Sequence, residues 1–289
     1  MSTDHPREIL QAHGLAANRR LGQNFLISTD LMDRLVEASH VGPQSVVLEV
    51  GTGLGRLTKR LARAARQVVT VEIDSGLYEV AGGRLSNLDN VRRIHSDFLE
   101  SKHHISPAVT EAVRAAAGAG AVRVVSNLPY QISSPALINM LEWEIEVREM
   151  GVMLQAEVVD RLTAEPGTSE YGPLTVFASY HAEVEEVMTL SPSAFWPQPA
   201  VSSKFLRLIV RPPDPAAGGY ETFRQVVRRL FQNRRKTIYK GLSIGWSRQV
   251  GREVLARTGL EGRRRPATLN TAEFVALSDA VREVGGACR

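Results

Sequence analysis

The chain has 289 residues, of which 43% are hydrophobic and 23% charged, which suits one large globular domain with a smaller one. The single cysteine, Cys288, excludes a disulfide framework or a thiolate metal cluster, and no run approaches the roughly 18 apolar residues of a membrane span. The net charge of +4 is unevenly held: residues 211–289 carry 16 Lys+Arg against 7 Asp+Glu, and residues 1–210 carry 19 against 24. A basic C-terminal part on a mildly acidic body suits a polyanion partner. The polar, mixed-charge N-terminus lacks the apolar run of a signal peptide, so a cytoplasmic location is expected.

In chain order, residues 6–20 read as a short helix fraying into Asn18-Arg19-Arg20. Leu21-Gly22-Gln23-Asn24-Phe25-Leu26 follows as a compact loop, able to close over a ligand or to pack as an N-terminal strap. Ser28-Thr29-Asp30 supplies N-caps for a helix to about Ser39, ended by Gly42-Pro43.

An apolar strand over Val46–Val50 then runs into Gly51-Thr52-Gly53-Leu54-Gly55 and a helix opening near Leu54. Glycines there let the backbone approach a nucleotide or its sugar. A second strand, Val68 to Val71, delivers Glu72, an acid placed to accept both ribose hydroxyls of an adenosine-containing cofactor. The dinucleotide fingerprint needs its third glycine one place later, where Arg56 stands. Glu49 beside the turn suits a cationic amino-acid moiety better than a pyrophosphate, which favours S-adenosylmethionine over NAD. A structural carboxylate bonding the glycine-loop amides is the other reading of Glu49, and the two are compatible.

A third strand, Val91 to His95, ends near Asp97-Phe98, an acceptor and a ring for an adenine; a turn cap is the alternative for Asp97. Residues 101–121 read as a surface helix and loop, and the adjacent His103 and His104 as solvated rather than metal-binding. The fourth strand, through Val122, Val124 and Val125, feeds Ser126-Asn127-Leu128-Pro129-Tyr130-Gln131. At the C-terminal lip of a parallel strand this turn sits where open α/β sheets bind ligands. An amide oxygen and a backbone carbonyl suit an exocyclic amine with two hydrogens to give, and Tyr130 offers a face to a planar base.

A helix from Ser133, a strand over Met150–Leu154 and a helix to Leu162 come next; Leu174–Tyr180 fits either helix or strand. Strands over Glu183–Leu190 and Ser203–Val210 bracket a Pro-rich loop whose Phe195 and Trp196 offer a second stacking platform opposite Tyr130, or a packed hinge. Arg211 to Gly219 is the best linker candidate. Beyond it, Phe223, Val226, Val227, Leu230 and Phe231 form a helical stripe, followed by the cationic runs Arg234-Arg235-Lys236 and Arg263-Arg264-Arg265, suited to phosphate contacts.

Gly22-Gln23-Asn24-Phe25-Leu26, the Glu49–Gly55 turn, Val71-Glu72-Ile73-Asp74, Asp97, Asn127-Leu128-Pro129-Tyr130 and Ala194-Phe195-x-Pro-x-Pro together resemble the ribosomal RNA adenine N6,N6-dimethyltransferase family over residues 7–280. Met153 to Leu162, Tyr171-Gly172-x-Leu174 and Arg234 to Thr237 resemble its small-subunit branch rather than the resistance-type, large-subunit branch. The resemblance implies a Rossmann-like class I S-adenosylmethionine-dependent methyltransferase domain over 1–210 and a small, all-helical, basic RNA-binding domain over 211–289. It implies dimethylation of the N6 amines of adjacent adenosines in a 3′-terminal hairpin of 16S rRNA during ribosome biogenesis. The partner would be the small-subunit precursor and its rRNA, met by a monomer without metal or membrane. By the same resemblance Asn24, Leu26, Gly51, Glu72, Asp97 and Asn127 contact the cofactor, and Asn127 with the Pro129 carbonyl holds the amine. Tyr130 and Phe195 would sandwich the adenine, and Arg234, Arg235 and Lys236 would meet RNA. Thr52 stands where the family usually has Pro, and Gln131 replaces a common Asn or Tyr. An RNA-binding assembly factor without essential catalysis is the alternative class, and a nicotinamide dehydrogenase a more distant one.

Overall fold

Val46–Val50 is buried at every position, the pattern of a strand covered on both faces rather than one. In the computed structural model, which describes residues 4–211 and 219–285, that strand lies inside a seven-stranded sheet. In chain order the elements open with α1 (Pro6–Ala12), β1 (Phe25–Leu26), α2 (Thr29–Ala38), β2 (Val46–Val50), α3 (Arg56–Ala64), β3 (Gln67–Glu72) and α4 (Ser75–Leu85). They continue with β4 (Val91–His95), β5 (Leu99–Ser101), β6 (His104–Ile105), α5 (Pro107–Ala117), β7 (Val122–Asn127), α6 (Ser133–Leu141), β8 (Val147–Gln155) and α7 (Ala156–Leu162). After α8 (Pro173–His181) the chain returns through β9 (Ala182–Leu190), β10 (Phe195–Trp196) and β11 (Ser203–Val210).

The sheet order is β4-β3-β2-β7-β8-β11-β9, parallel from β4 to β8 and antiparallel where β11 pairs β8 and β9. Successive strands step outward from β2 to β4, and the chain then crosses back to place β7 on the other side of β2. The order therefore reverses between β2 and β7, and ligands bind at such reversal points outside the carboxyl ends of the strands. The Gly51 turn follows β2 and the Asn127 turn follows β7, so both hang over that crevice. α5 is not a surface helix: Val109, Ala112 and Val113 are buried as it packs on β2, β3 and β4.

The chain divides into two units, Met1–Val159 with Ala182–Arg211, and Asp160–His181 with Pro212–Arg289. Sequence reading placed the division at 210/211; the structure also assigns residues 160–181 to the second unit. The reason is packing. In that unit α8 lies against α9 (Tyr220–Gln232) and α12 (Thr271–Glu283), Phe177 and Tyr180 meet Phe223, and the Tyr171 hydroxyl donates to the Leu269 carbonyl at 2.6 Å. α10 (Ile238–Gly245) and α11 (Arg248–Thr258) complete it, so residues 174–180, ambiguous in sequence, are helical. The expected stripe of α9 is buried through Phe223, Val226, Val227 and Leu230. Most of the Arg211–Gly219 linker and Cys288 lie outside the described residues. Among the described residues no helix is long and apolar enough to cross a membrane.

Candidate active site at the sheet reversal

A cavity of about 210 Å³ opens where the two turns meet. Its wall takes Gly51 and Gly53 from the turn after β2, Glu72 and Ile73 from the end of β3, Leu77 from α4, and Ser96, Asp97 and Phe98 from beyond β4. Asn127 to Ile132 close one side, and residues 21–25 of the N-terminal strap another. Gly51 sits at φ +88°, a backbone conformation that strains any residue with a Cβ, and it lies in close contact with the Pro129 ring of the other turn.

Glu72 is nearly buried. Its carboxylate accepts the Gly53 N–H at 2.8 Å and the Asp74 N–H at 3.0 Å, which fixes it against the cavity wall. Burial raises its pKa, an effect the two backbone donors oppose. Asp97 accepts the Leu99 N–H through Oδ1 at 3.0 Å, so the turn-cap reading holds, while the residue still faces the cavity.

The Asn127 amide is held from the strap: its Nδ2 donates to the Asn24 carbonyl at 2.9 Å. Asn24 in turn donates through its side chain to the Gly22 carbonyl at 3.0 Å, and Gln131 donates to the Arg20 carbonyl. With Nδ2 committed to the strap, Oδ1 is the amide's acceptor for a ligand. The Pro129 carbonyl receives the Ile132 N–H at 3.1 Å and keeps its second lone pair. Tyr130 lines the cavity with its hydroxyl bonded to the buried Ser203 Oγ at 2.7 Å, and burial raises the phenol's pKa.

Seven of the expected residues thus gather here: Asn24, Gly51, Glu72, Asp97, Asn127, Pro129 and Tyr130. Leu26 and Phe195 do not. They face each other across the β1–β10 pair, 7% and 2% exposed, in a core cluster with Met32, Leu35, Met153 and Phe205. The short pairing turns both side chains inward, so the second stacking platform expected at Phe195 is a core contact instead. Trp196 packs edge-on to His5 and against the cluster around α1, also away from the cavity.

Glu49 departs from both of its readings. It is 1% exposed and accepts hydroxyls, from Thr58 at 2.6 Å and Thr70 at 2.7 Å, rather than loop amides. Burial pushes its pKa up to about 8 against those two hydrogen bonds, which makes it predominantly a neutral acid near pH 7. Thr52 joins the same group through Thr70 Oγ1 at 2.7 Å. Periodicity gave no sign of this network, because hydroxyl residues on strands and helix starts carry no shared pattern.

In the second unit Arg234, Arg235 and Lys236 are exposed between α9 and α10. Arg234 also holds the preceding loop, donating to the Ser169 carbonyl at 2.7 Å and the Thr168 carbonyl at 3.2 Å. Within the later run, Arg264 pairs with both oxygens of Glu273, which completes the capping box of α12 with Asn270; Arg263 and Arg265 are exposed. A run of like charges in sequence thus separates into a structural cation and surface ones.

A family model described as ribosomal RNA adenine dimethylase matches residues 14–281. The chain is 38% identical over 286 residues to the ribosomal RNA small subunit methyltransferase A of Geobacillus kaustophilus (strain HTA426), covering 97% of this chain and 96% of that protein. It is 40% identical to the protein of the same name from Geobacillus sp. (strain WCH70), covering 96% of each. Among solved structures, a dimethyladenosine transferase from Plasmodium falciparum superposes with a TM-score of 0.76 at 21% identity, covering 91% of this chain and 98% of that one, a likeness of fold. The 23S rRNA methyltransferase ErmE superposes with a TM-score of 0.65 at 26% identity, covering 90% of this chain and 100% of that one. A reversal-point cavity closed by an Asn-Leu-Pro-Tyr turn, a family match over most of the chain and full-length relatives near 40% identity agree: the chain belongs to the ribosomal RNA adenine dimethylase family.

Proposed function

We propose that this protein methylates the N6 amines of adjacent adenosines in the 3′-terminal hairpin of small-subunit rRNA, with S-adenosylmethionine as donor, during ribosome assembly. The observation that carries the reading is the Asn127 amide, whose Nδ2 is tied to the Asn24 carbonyl so that Oδ1 is left to accept from an amine. The cavity residues fit the donor: Gly51 and Gly53, which present no Cβ to it, a fixed carboxylate at Glu72 for ribose hydroxyls, and Ile73, Leu77 and Phe98 for an apolar ring. The bound donor supplies an electrophilic methyl group on a sulfonium.

The chain's own groups do the rest. An adenine N6 lone pair is delocalised into the ring and is a poor nucleophile. Accepting its two hydrogens at Asn127 Oδ1 and the Pro129 carbonyl favours a pyramidal amine whose lone pair points away from both acceptors. Positioning and electrostatics supply most of the rate, and the proton leaves readily once the nitrogen is alkylated. Tyr130 offers its face to the extruded base, offsetting lost stacking. Arg235 and Lys236, with a share from Arg234, meet the RNA backbone.

The small-subunit assignment draws on the relatives at 38% and 40% identity, both ribosomal RNA small subunit methyltransferases A. The test is methyl transfer from labelled S-adenosylmethionine to unmethylated small and large ribosomal subunits, read by nucleoside mass spectrometry. N6,N6-dimethyladenosine confined to small-subunit rRNA is the expected result. Product in the large subunit would move the enzyme to the ErmE-like activity, and binding of cofactor and RNA without product would favour an assembly factor.

A further inference from the structure

Arg56 stands where a cation is least expected. It is the first residue of α3, at a helix N-terminus whose dipole disfavours positive charge, and it is 8% exposed. Burying a guanidinium is unfavourable unless its donors are matched, and here they are. Nη1 donates to the Leu26 carbonyl at 2.6 Å and to the Ile27 carbonyl at 3.2 Å, and Nη2 also reaches Ile27 at 3.2 Å. Nε donates to Asp4 at 3.0 Å. Arg84 shares Asp4 and donates through Nε to the Leu54 carbonyl of the glycine turn at 2.9 Å.

Leu26 and Ile27 lie two and three residues after Asn24, whose carbonyl orients the Asn127 amide. One side chain therefore ties the helix of the glycine turn to the strap that lines the cavity, without lining the cavity itself. Other side-chain ties on the strap are neutral donors, such as Gln131 to the Arg20 carbonyl, or single bonds, such as Gln23 to Asp74 at 3.0 Å. Arg56 alone among these sets a planar charged fork on two successive carbonyls, a match that the point charge of a lysine cannot reproduce.

We infer that Arg56 is a positioning residue that holds the 22–27 strap closed over the cofactor cavity and so sets the fraction of molecules competent to bind the donor. The inference rests on the S-adenosylmethionine reading above. When only a fraction of molecules is closed, apparent affinity falls by that fraction. Losing the charge-assisted fork should raise the donor's Kd about tenfold.

The experiment titrates S-adenosylmethionine, without RNA, into the wild-type protein, Arg56→Met, Arg56→Lys and a control, Arg63→Met, on the exposed side of the same helix. Steady-state kinetics and amide exchange accompany it. Arg56→Met should raise both Kd and KM for the donor about tenfold, leave KM for ribosomal subunits unchanged, and keep kcat at saturating donor within about twofold, since bound donor re-forms the closed strap. Exchange should quicken at residues 22–27 and not in β2 or β3, and Arg63→Met should match wild type. Arg56→Lys, which keeps the charge and loses the fork, should weaken binding too; wild-type affinity in that variant would overturn the inference. So would unchanged affinity in Arg56→Met, or exchange accelerated equally through β2 and β3, which would make Arg56 a general stabiliser. A wild-type protein that fails to bind S-adenosylmethionine would sink the cofactor reading instead.

Discussion

Replacing Glu49 with Gln isolates the buried acid beside the glycine turn. Its Oε2 takes both threonine hydroxyls, Thr58 and Thr70, and Thr70 in turn receives Thr52, so a glutamine of the same shape can keep the acceptor role without titrating. The folded-state pKa of about 8 lies above the ordinary 4.5. Between those values the folded chain holds a proton that the unfolded chain has released. The associated stability is therefore complete below about pH 4.5, declines by about 1.4 kcal/mol per pH unit as pH rises through the window, and is gone above pH 8. From pH 5 to pH 8 this amounts to a few kcal/mol, lost by wild type and not by Glu49→Gln. Urea melts at closely spaced pH values measure it. A Trp246→Phe background leaves Trp143 and Trp196, both in the first unit, as fluorescent reporters. A difference between Glu49→Gln and its parent that stays flat from pH 5 to pH 8 would refute the reasoning. It would mean that Glu49 is ionised when folded, restoring a negative charge beside the turn for a cationic ligand.

Asn127→Ala should lower kcat by roughly 10²–10³ while changing donor affinity much less, because the lost acceptor acts on the amine in the transition state; equal losses in both would contradict that role. Arg235→Ala with Lys236→Ala should weaken RNA binding and flatten its salt dependence, by roughly one unit of slope per phosphate contact removed, in a filter-binding series at several ionic strengths. Arg234→Ala should flatten it less and should loosen the loop at Thr168 and Ser169 as seen by proteolysis. His181 has its pKa lowered to about 4 by burial and by Arg224, so it contributes stability above pH 6.5 that is lost as pH falls toward 4. A His181→Phe variant should lack that acid limb in thermal melts across the same range.

The elements that strand-and-turn patterning makes visible were legible: β2 with its glycines, β3 ending in Glu72, and β7 ending in Asn127. Each is a local run of apolar residues stopped by a turn, and parallel strands place such ends at one edge. The stripe of α9 was legible for the same reason, since a 3.6-residue period shows in the sequence before any partner is known. Residues 160–181 were not, because a segment inserted between two strands has the composition of its neighbours and reveals its unit only by packing on α9 and α12.

By itself, then, the sequence determined which side chains stand at the strand ends, and with them the chemistry available at the sheet's reversal point. Only the tertiary structure decided which way the flanking side chains turn. Phe195 and Leu26 belong to a two-residue strand pair whose inward face no alternation can reveal, and they are core. Glu49 owes its neutral form to burial among hydroxyls brought from α3 and β3, 9 and 21 residues away. Arg56 looked like a failed glycine in a fingerprint. Its role comes from two carbonyls some 30 residues upstream, and burial and hydrogen-bond partners of that range exist only once the chain has folded.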